Sequence, residues 1–462
     1  MTKKRGFQRS ILFSTVAGLA VTFAAAAAAE TMNGALAKAY MGNPTLNSQR
    51  AALRATDEGV AIAKSGMRPR VNASGSVGYT ARSAQGMGAS SGNADLFPGA
   101  VGVGITQPLY DGLRTLNSTR AAESQVFGER EGLRNQEQNT LLSGATAYMN
   151  VLRDTATVNL QRNNLEVLQE QLRQTRDRFN VGEVTRTDVA QAEAALAGGH
   201  SQLSAAEANL KASIAQYRQV IGEQPTKLAP GRSLESLLPK SQTAAVNLAL
   251  REHPAIASAL HSADAAELQI KVAEGALLPQ VGLSANVSRS FDNNVRGDAL
   301  SSASIVAQLT VPLYDGGQYY AQTRQAKEKA SQANISVDIF RDQVRAAVVS
   351  SWSMLEAARS QIEASTAQVK ANEIALAGVR EEAKVGQRTT YDVLRAQQDL
   401  LQSRVLLVTA QRDRVVASYN VMAAIGRLTA RDLNLRVAGY DPKVHYDQVK
   451  DKWIGLGTPG GR

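Results

Sequence analysis

Gln107-Pro108-Leu109-Tyr110-Asp111-Gly112 and Val311-Pro312-Leu313-Tyr314-Asp315-Gly316 share five of six residues at an offset of 204. The same offset superimposes Val181-Gly182 on Val385-Gly386, Asp188-Val189 on Asp392-Val393, and Ile221-Gly222 on Ile425-Gly426. Upstream, Pro44 matches Pro254 and Pro69 matches Pro279 at an offset of 210. One unit is therefore present twice. Twenty-five positions separate Pro44 from Pro69 and Pro254 from Pro279, 74 separate each later proline from its glycine (Pro108 from Gly182, Pro312 from Gly386), and 40 separate Gly182 from Gly222 and Gly386 from Gly426. Only the steps from Pro69 to Pro108 (39) and from Pro279 to Pro312 (33) differ. Exposed loops change length freely, whereas segments packed side by side do not. The long intervals are the rigid parts.

Those intervals read as helix. Residues 114–180 lack proline, are rich in Ala, Gln, Leu, Arg and Glu, and place Leu165, Leu168, Leu172, Thr175 and Phe179 at alternating steps of three and four. The second copy, over 318–384, does the same with Ile362, Ser365, Val369, Asn372, Leu376, Val379 and Ala383. This is coiled-coil spacing with a thin, partly polar seam. Each rod should be roughly 100 Å long at about 1.5 Å per residue.

Between the prolines lie alternating stretches: Val71, Ala73, Gly75, Val77, Tyr79 and Ala81; Val281, Leu283, Ala285 and Val287; and Ala303, Ile305, Ala307, Leu309 and Val311, with Val306 out of phase. They predict β-hairpins over 70–109 and 280–313, with Gly/Ser/Asn/Asp loops at 83–98 and 292–301. One apolar and one small polar face suits a strand between lipid and water, although a half-buried sheet shows the same pattern. Asp111 and Asp315 are candidate helix caps, and Tyr110 and Tyr314 candidates for a lipid interface or for junction packing. Two hairpins give four strands. A membrane barrel needs at least about eight, so a membrane-spanning sheet of this kind requires several chains.

The expected organisation is a first repeat over 30–222 with short helices at 33–66 and 185–221, a non-helical linker over 223–246, a second repeat over 247–426 with short helices at 247–276 and 389–426, and a tail over 427–462. The linker holds Pro225, Pro230, Gly231 and Pro239 and should lie at mid-height. The run 441–462, with Gly455, Gly457, Pro459, Gly460 and Gly461, should be mobile. The fold class is mainly α with a small β part.

Lys3, Lys4, Arg5 and Arg9 precede an apolar stretch and then Ala27-Ala28-Ala29, which predicts a secretory signal peptide over 1–29. Its removal takes four basic and no acidic side chains, lowering the formal charge from +10 to +6. That modest excess, without basic runs interleaved with aromatics, argues against nucleic acid. Cysteine is absent, so neither disulfide nor thiolate chemistry is available. After the leader no run of 18 apolar residues occurs, so any membrane crossing must use strands. His200, His253, His261 and His445 form no ligand pattern. Gly99, Gly102 and Gly104 lead into a strand exit instead of opening a helix, and no Walker lysine follows a glycine loop. No enzyme, cofactor or metal site is expected.

The duplication, the paired PLYDG strand exits and the turns Val181-Gly182-Glu183-Val184-Thr185-Arg186-Thr187-Asp188-Val189 and Val385-Gly386-Gln387-Arg388-Thr389-Thr390-Tyr391-Asp392-Val393 together carry a resemblance. Over essentially all of the mature sequence the chain resembles the TolC family of outer-membrane export ducts. The resemblance implies a homotrimer whose chains share one transmembrane β-barrel above an α-helical coiled-coil barrel in the periplasm. It also implies docking of a periplasmic adaptor and an inner-membrane ABC or RND pump at the tips, for type I protein secretion, multidrug efflux or both. Val181, Gly182, Thr185, Val385, Gly386 and Thr389 fall in the turns that family members present to adaptors. Asp188 and Arg388 align with a charged pair that helps hold the entrance shut, but the tyrosine usual beside it is Ala383. Asp392 aligns with an entrance carboxylate that becomes a ring in the trimer. A second family carboxylate is Arg395, which at i, i+3 can pair with Asp392 and blunt that field. A second reading is a structural envelope coiled coil or adhesin anchored by its hairpins.

Overall fold

The computed structural model describes residues 29–83 and 93–459; the predicted leader lies almost wholly outside them. Helix α1 spans Met32–Gly42 and α2 Pro44–Lys64. Strands β1 (Arg70–Val77), β2 (Thr80–Ser83), β3 (Asn93–Leu96) and β4 (Gly99–Tyr110) lead into α3 (Arg114–Asn180) and α4 (Arg186–Ile221). After the linker come α5 (Gln242–Glu252), α6 (Pro254–Gly275), β5 (Gln280–Phe291), β6 (Ala299–Thr310), α7 (Gln318–Lys384), α8 (Thr390–Ile425) and α9 (Pro442–Val449). Helices α3 and α7 have 67 residues each, and α4 and α8 have 36 each. Two rods of about 100 Å set the length of the molecule.

The rods follow strict heptads. Thr323, Ala330, Val337, Val344, Ser351, Ala358 and Ser365 are all buried on α7, each seven positions from the last. On α3 the corresponding line is Val126, Leu133, Thr140, Ala147, Asp154, Leu168 and Thr175, with only half-buried Gln161 interrupting. A seven-residue period keeps one stripe facing the partner helix under a left-handed supercoil. The shorter helices answer with small residues: Ala192, Gly199, Ala206 and Ser213 are buried on α4, again at sevens. A Cβ on Gly199 would lie 2.9 Å from Leu168 Cδ1. Glycine there lets α4 approach α3 closely. Of the seam read from sequence, Leu168, Leu172 and Thr175 are buried, while Phe179 is 42% exposed because the helix has reached its tip.

Several boundaries differ from those the sequence suggested. The expected helices at 33–66 and 247–276 are each broken before a proline, at Asn43 and His253, whose backbones are extended. Proline has no N–H to continue a helix and drives the preceding residue out of the α region. Each of those residues then caps the following helix: Asn43 Oδ1 accepts from Thr45 N at 2.9 Å, and His253 Nδ1 accepts from Ala255 N at 3.2 Å. The linker holds a short 3₁₀ turn at Glu235–Leu237, and α5 begins inside it at Gln242. The loop expected at 83–98 contains β3, paired with β2. The tail expected to be mobile contains α9, whose His445 Nδ1 lies 3.0 Å from the buried Asp57 carboxylate of α2.

Where α1, the linker and the tail join the rods, the core thickens. Tyr148, Tyr217 and Tyr419 are fully buried there among Met32, Leu36, Leu46 and Leu428. Tyr148 Oη lies 2.8 Å from the Glu30 carbonyl oxygen and 2.6 Å from that of Ala229. Glu235 clamps the linker to both second-repeat helices, 2.6 Å from Arg414 Nε and 2.8 Å from Arg359 Nη2. Those two guanidinium groups, Arg414 first, hold its carboxyl down at about 2.

His253 yields the first prediction. Burial, with Arg134 adding to it, pushes its imidazole down to about 4, and its capping nitrogen must be unprotonated to accept the Ala255 N–H. The folded state therefore binds fewer protons than the unfolded one. Its stabilisation is complete above the ordinary histidine value of about 6.5 and is lost as pH falls towards about 4. His253→Asn, which copies the cap used at Asn43, should keep neutral-pH stability and flatten this part of the pH–melting curve. An unchanged acid slope in the variant rejects the assignment.

Candidate functional site

The two hairpin turns at the ends of the rods are built alike. Gly182 and Gly386 both have φ of +80°, a left-handed conformation that favours glycine, and nothing stands within 4 Å of where a Cβ would be. Val181 and Val385, beside them, are 71% and 72% exposed. Thr185 and Thr389 cap the outgoing helices in reciprocal capping boxes, their hydroxyls accepting from Asp188 N and Asp392 N while the two carboxylates accept from the threonine N–H groups. The rods thus end in two rigid turns, each presenting an apolar valine and a bare glycine backbone.

The candidate gate residues are all here but do not pair with one another within the chain. Thr185 lowers the Asp188 carboxyl through hydrogen bonds, and Thr389 does the same to Asp392. Arg388 Nε lies 2.8 Å from Glu382 Oε2. In the first copy the comparable tip pair is Arg178 with Glu183, at 3.0 Å. Among the described residues no ion pair joins Arg395 to Asp392, contrary to the spacing argument, because capping already holds the carboxylate at the helix start. Arg395 instead lines a cleft with Tyr391, Leu168 and Gly199. Sequence reading gave the two aspartates no capping partner, although Thr-x-x-Asp before a helix is the signal for it.

At the other end, β1, β4, β5 and β6 form one antiparallel sheet in that order. Its register places Val71 beside Ile105, Ala73 beside Val103, Ile105 beside Ala285, Val103 beside Val287, and Ala285 beside Ile305. The opposite face carries Asn72 beside Gly104, Gly104 beside Asn286, and Asn286 beside Ser304. One face is apolar across all four strands and the other is polar, the division required between hydrocarbon and water. A Cβ on Gly104 would stand 2.6 Å from Asn286 Oδ1, and one on Gly102 3.2 Å from Ser288 Cβ. The glycine run before Pro108 is thus the space for polar side chains of β5. Among the described residues, no helix is long and apolar enough to cross a membrane and no group of three or more acidic or histidine side chains could hold a metal.

Such rods, tips and a two-faced sheet together fit the class of outer-membrane channel proteins. The family described as Outer membrane efflux protein matches residues 35–223 and 245–427. The chain is 46% identical over 439 residues to the outer membrane efflux protein BepC of Brucella suis, covering 95% of this chain and 94% of that one. It is 26% identical to the outer membrane protein TolC of Escherichia coli, covering 91% and 87%. The solved Campylobacter jejuni CmeC outer membrane channel superimposes with a TM-score of 0.77 at 17% identity, covering 91% and 89%. The chain belongs to the outer membrane efflux protein family, of which TolC is a member, and is an outer-membrane protein.

Proposed function

We propose that three copies of this chain close one barrel of about 12 strands above a helical tunnel and act as a passive exit duct. The carrying observation is the four-stranded sheet with one apolar and one polar face. Four strands are too few to close, and lipid does not tolerate the open edges of β1 and β6. The two repeats then form adjacent staves of one wall. Relatives include a protein named for alkaline protease secretion in Pseudomonas aeruginosa and one named for efflux; the proposed cargo is accordingly protein, drugs or both. A periplasmic adaptor engages the tips at Val181, Gly182, Thr185, Val385, Gly386 and Thr389, and an inner-membrane ABC or RND pump supplies the energy. The anchored-adhesin reading lacks support from the second hairpin, which closes in a tight turn tied by Asp292 and Asp298.

In the resting duct Asp188 and Arg388 latch the entrance between helix pairs, with Asp392 forming a ring that Arg395 moderates. An exposed pair contributes at most about 1 kcal/mol, so each latch is weak and openable. Asp188 also caps α4, so Asp188→Asn is the cleaner variant: it keeps the capping oxygen and loses the charge. Purified wild-type protein in planar bilayers should show single-channel events of low resting conductance; Asp188→Asn and Arg388→Ala should raise that conductance. Variants identical to wild type reject the latch. A wild-type protein with no conductance at all rejects the duct.

A further inference from the structure

Beyond α9, residues 451–453 stay against the molecule. Lys64 Nζ, at the end of α2, lies 2.7 Å from Asp451 Oδ1. Four residues on, Arg68 Nη1 donates to the Lys452 carbonyl oxygen at 2.8 Å, and its guanidinium sits 4.7 Å from the centroid of the Trp453 ring. Arg68 stands two residues before β1, and Gln107 Nε2 of β4 donates to the neighbouring Met67 carbonyl oxygen at 2.8 Å. The tail is thus carried along α2 from the thick mid-region to the foot of the sheet. There it presents Trp453, Ile454 and Leu456, which are 65%, 89% and 104% exposed. Tyr314 and Leu313, at the exit of β6, are 83% and 91% exposed. Three contacts to α2 and its extension deliver an exposed apolar cluster to this level.

We infer that residues 453–456 are an interfacial anchor, inserted into the periplasmic leaflet of the outer membrane beside the barrel. The occupant is lipid for three reasons. The cluster is continuous in height with the start of the strands whose apolar face meets hydrocarbon. Tryptophan with an arginine stacked on it, flanked by Lys450 and Lys452, matches the amphipathic chemistry of the headgroup layer, where indole rings and basic side chains concentrate. Glycines at 455 and 457 separate the apolar side chains without a helix, so the segment can lie flat. The anchor would tie the helical wall to the membrane through α9 and the His445–Asp57 contact.

This rests on the orientation given by the duct reading, and the test separates the two. Trp352 and Trp453 are the two tryptophans of the chain, so Trp352→Phe leaves one reporter. In conducting proteoliposomes containing phospholipid brominated near the headgroup, Trp453 emission should be lost relative to unbrominated lipid, and protected from aqueous acrylamide. A second reporter uses the absence of cysteine: a nitroxide on Ile454→Cys should be more accessible to oxygen than to a water-soluble nickel chelate. Emission unaffected by brominated lipid, with the nitroxide relaxed chiefly by the nickel chelate, overturns the anchor even where the channel conducts. Burial from both lipid and water, which a neighbouring subunit would produce, overturns it as well. Failure to conduct bears on the duct alone.

Discussion

Gly112→Ala should cost most of the folded protein. Gly112 has φ of +71°, and a Cβ on it would stand 2.2 Å from the Gly275 carbonyl oxygen; a Cβ on Gly275 would stand 2.5 Å from the Gly112 carbonyl oxygen. The exit of the first hairpin and the end of α6 therefore cross backbone to backbone. A left-handed alanine costs about 1–2 kcal/mol, and forcing atoms into a closed contact typically about 1–3 kcal/mol more. Roughly 2–5 kcal/mol is a large share of the stability of an ordinary domain. The control is Gly222→Ala, where φ is +96° but nothing lies within 4 Å; only the conformational cost applies. Thermal unfolding of the purified proteins should place Gly112→Ala well below Gly222→Ala. Equal melting temperatures would show that the crossing is not locked.

Oxidation of a Leu309→Cys, Gly75→Cys double variant should convert the protein almost completely into a covalent trimer. Arg70 faces Thr106 in the first hairpin and Gln280 faces Thr310 in the second, positions that correspond under the offsets of 210 and 204. If the wall continues around the barrel in the same manner, β6 meets the next subunit's β1 as β4 meets β5. The pair Ile105 and Ala285 then maps onto Leu309 and Gly75 of adjacent subunits. Directly opposed residues bring Cβ atoms to about 4.5–5.5 Å, within reach of a disulfide after slight adjustment or of a short bifunctional thiol reagent. With no native cysteine, any ladder on a non-reducing gel reports this pair alone. Leu309→Cys with Ser74→Cys is the control, since a one-residue shift moves a side chain to the other face. Crosslinking of the control in preference to the test pair would refute the register.

Both variants sit where reading one dimension stops. Equal intervals between glycines and prolines made the rods and their copy number legible, because a packed helix cannot lose residues that its neighbour keeps. Strand alternation located Val71, Val287 and Ile305 well enough to pose the question of lipid. The tip glycines were legible too, since only a turn needs them there. The heptad line through Asp154 was obscured because Thr, Ala, Gln and Asp occupy it as often as Leu and Val. Asp154 is buried and satisfied by neighbouring Arg153 and by Ser213 of α4, 59 positions away, a partner that no local pattern joins to it. The break at Pro44 is signalled by Gly42-Asn43-Pro44, which a continuous helix over 33–66 passes over, and α9 is masked by the glycines that follow it.

The PLYDG pair and the equal intervals around it predict, from the sequence by itself, one unit present twice, each copy running from strand to long helix, with the difference in length confined to the hairpin segments. Covalent geometry and side-chain periodicity act along the chain, so they can be read along it. The tertiary structure alone decided which faces meet: that Gly112 is locked against Gly275, that Glu235 holds the linker to α7 and α8, and that the tail is carried to the foot of the sheet. These depend on contacts between residues far apart in sequence. Their strength comes from burial and close approach, which exist only after the rods have packed.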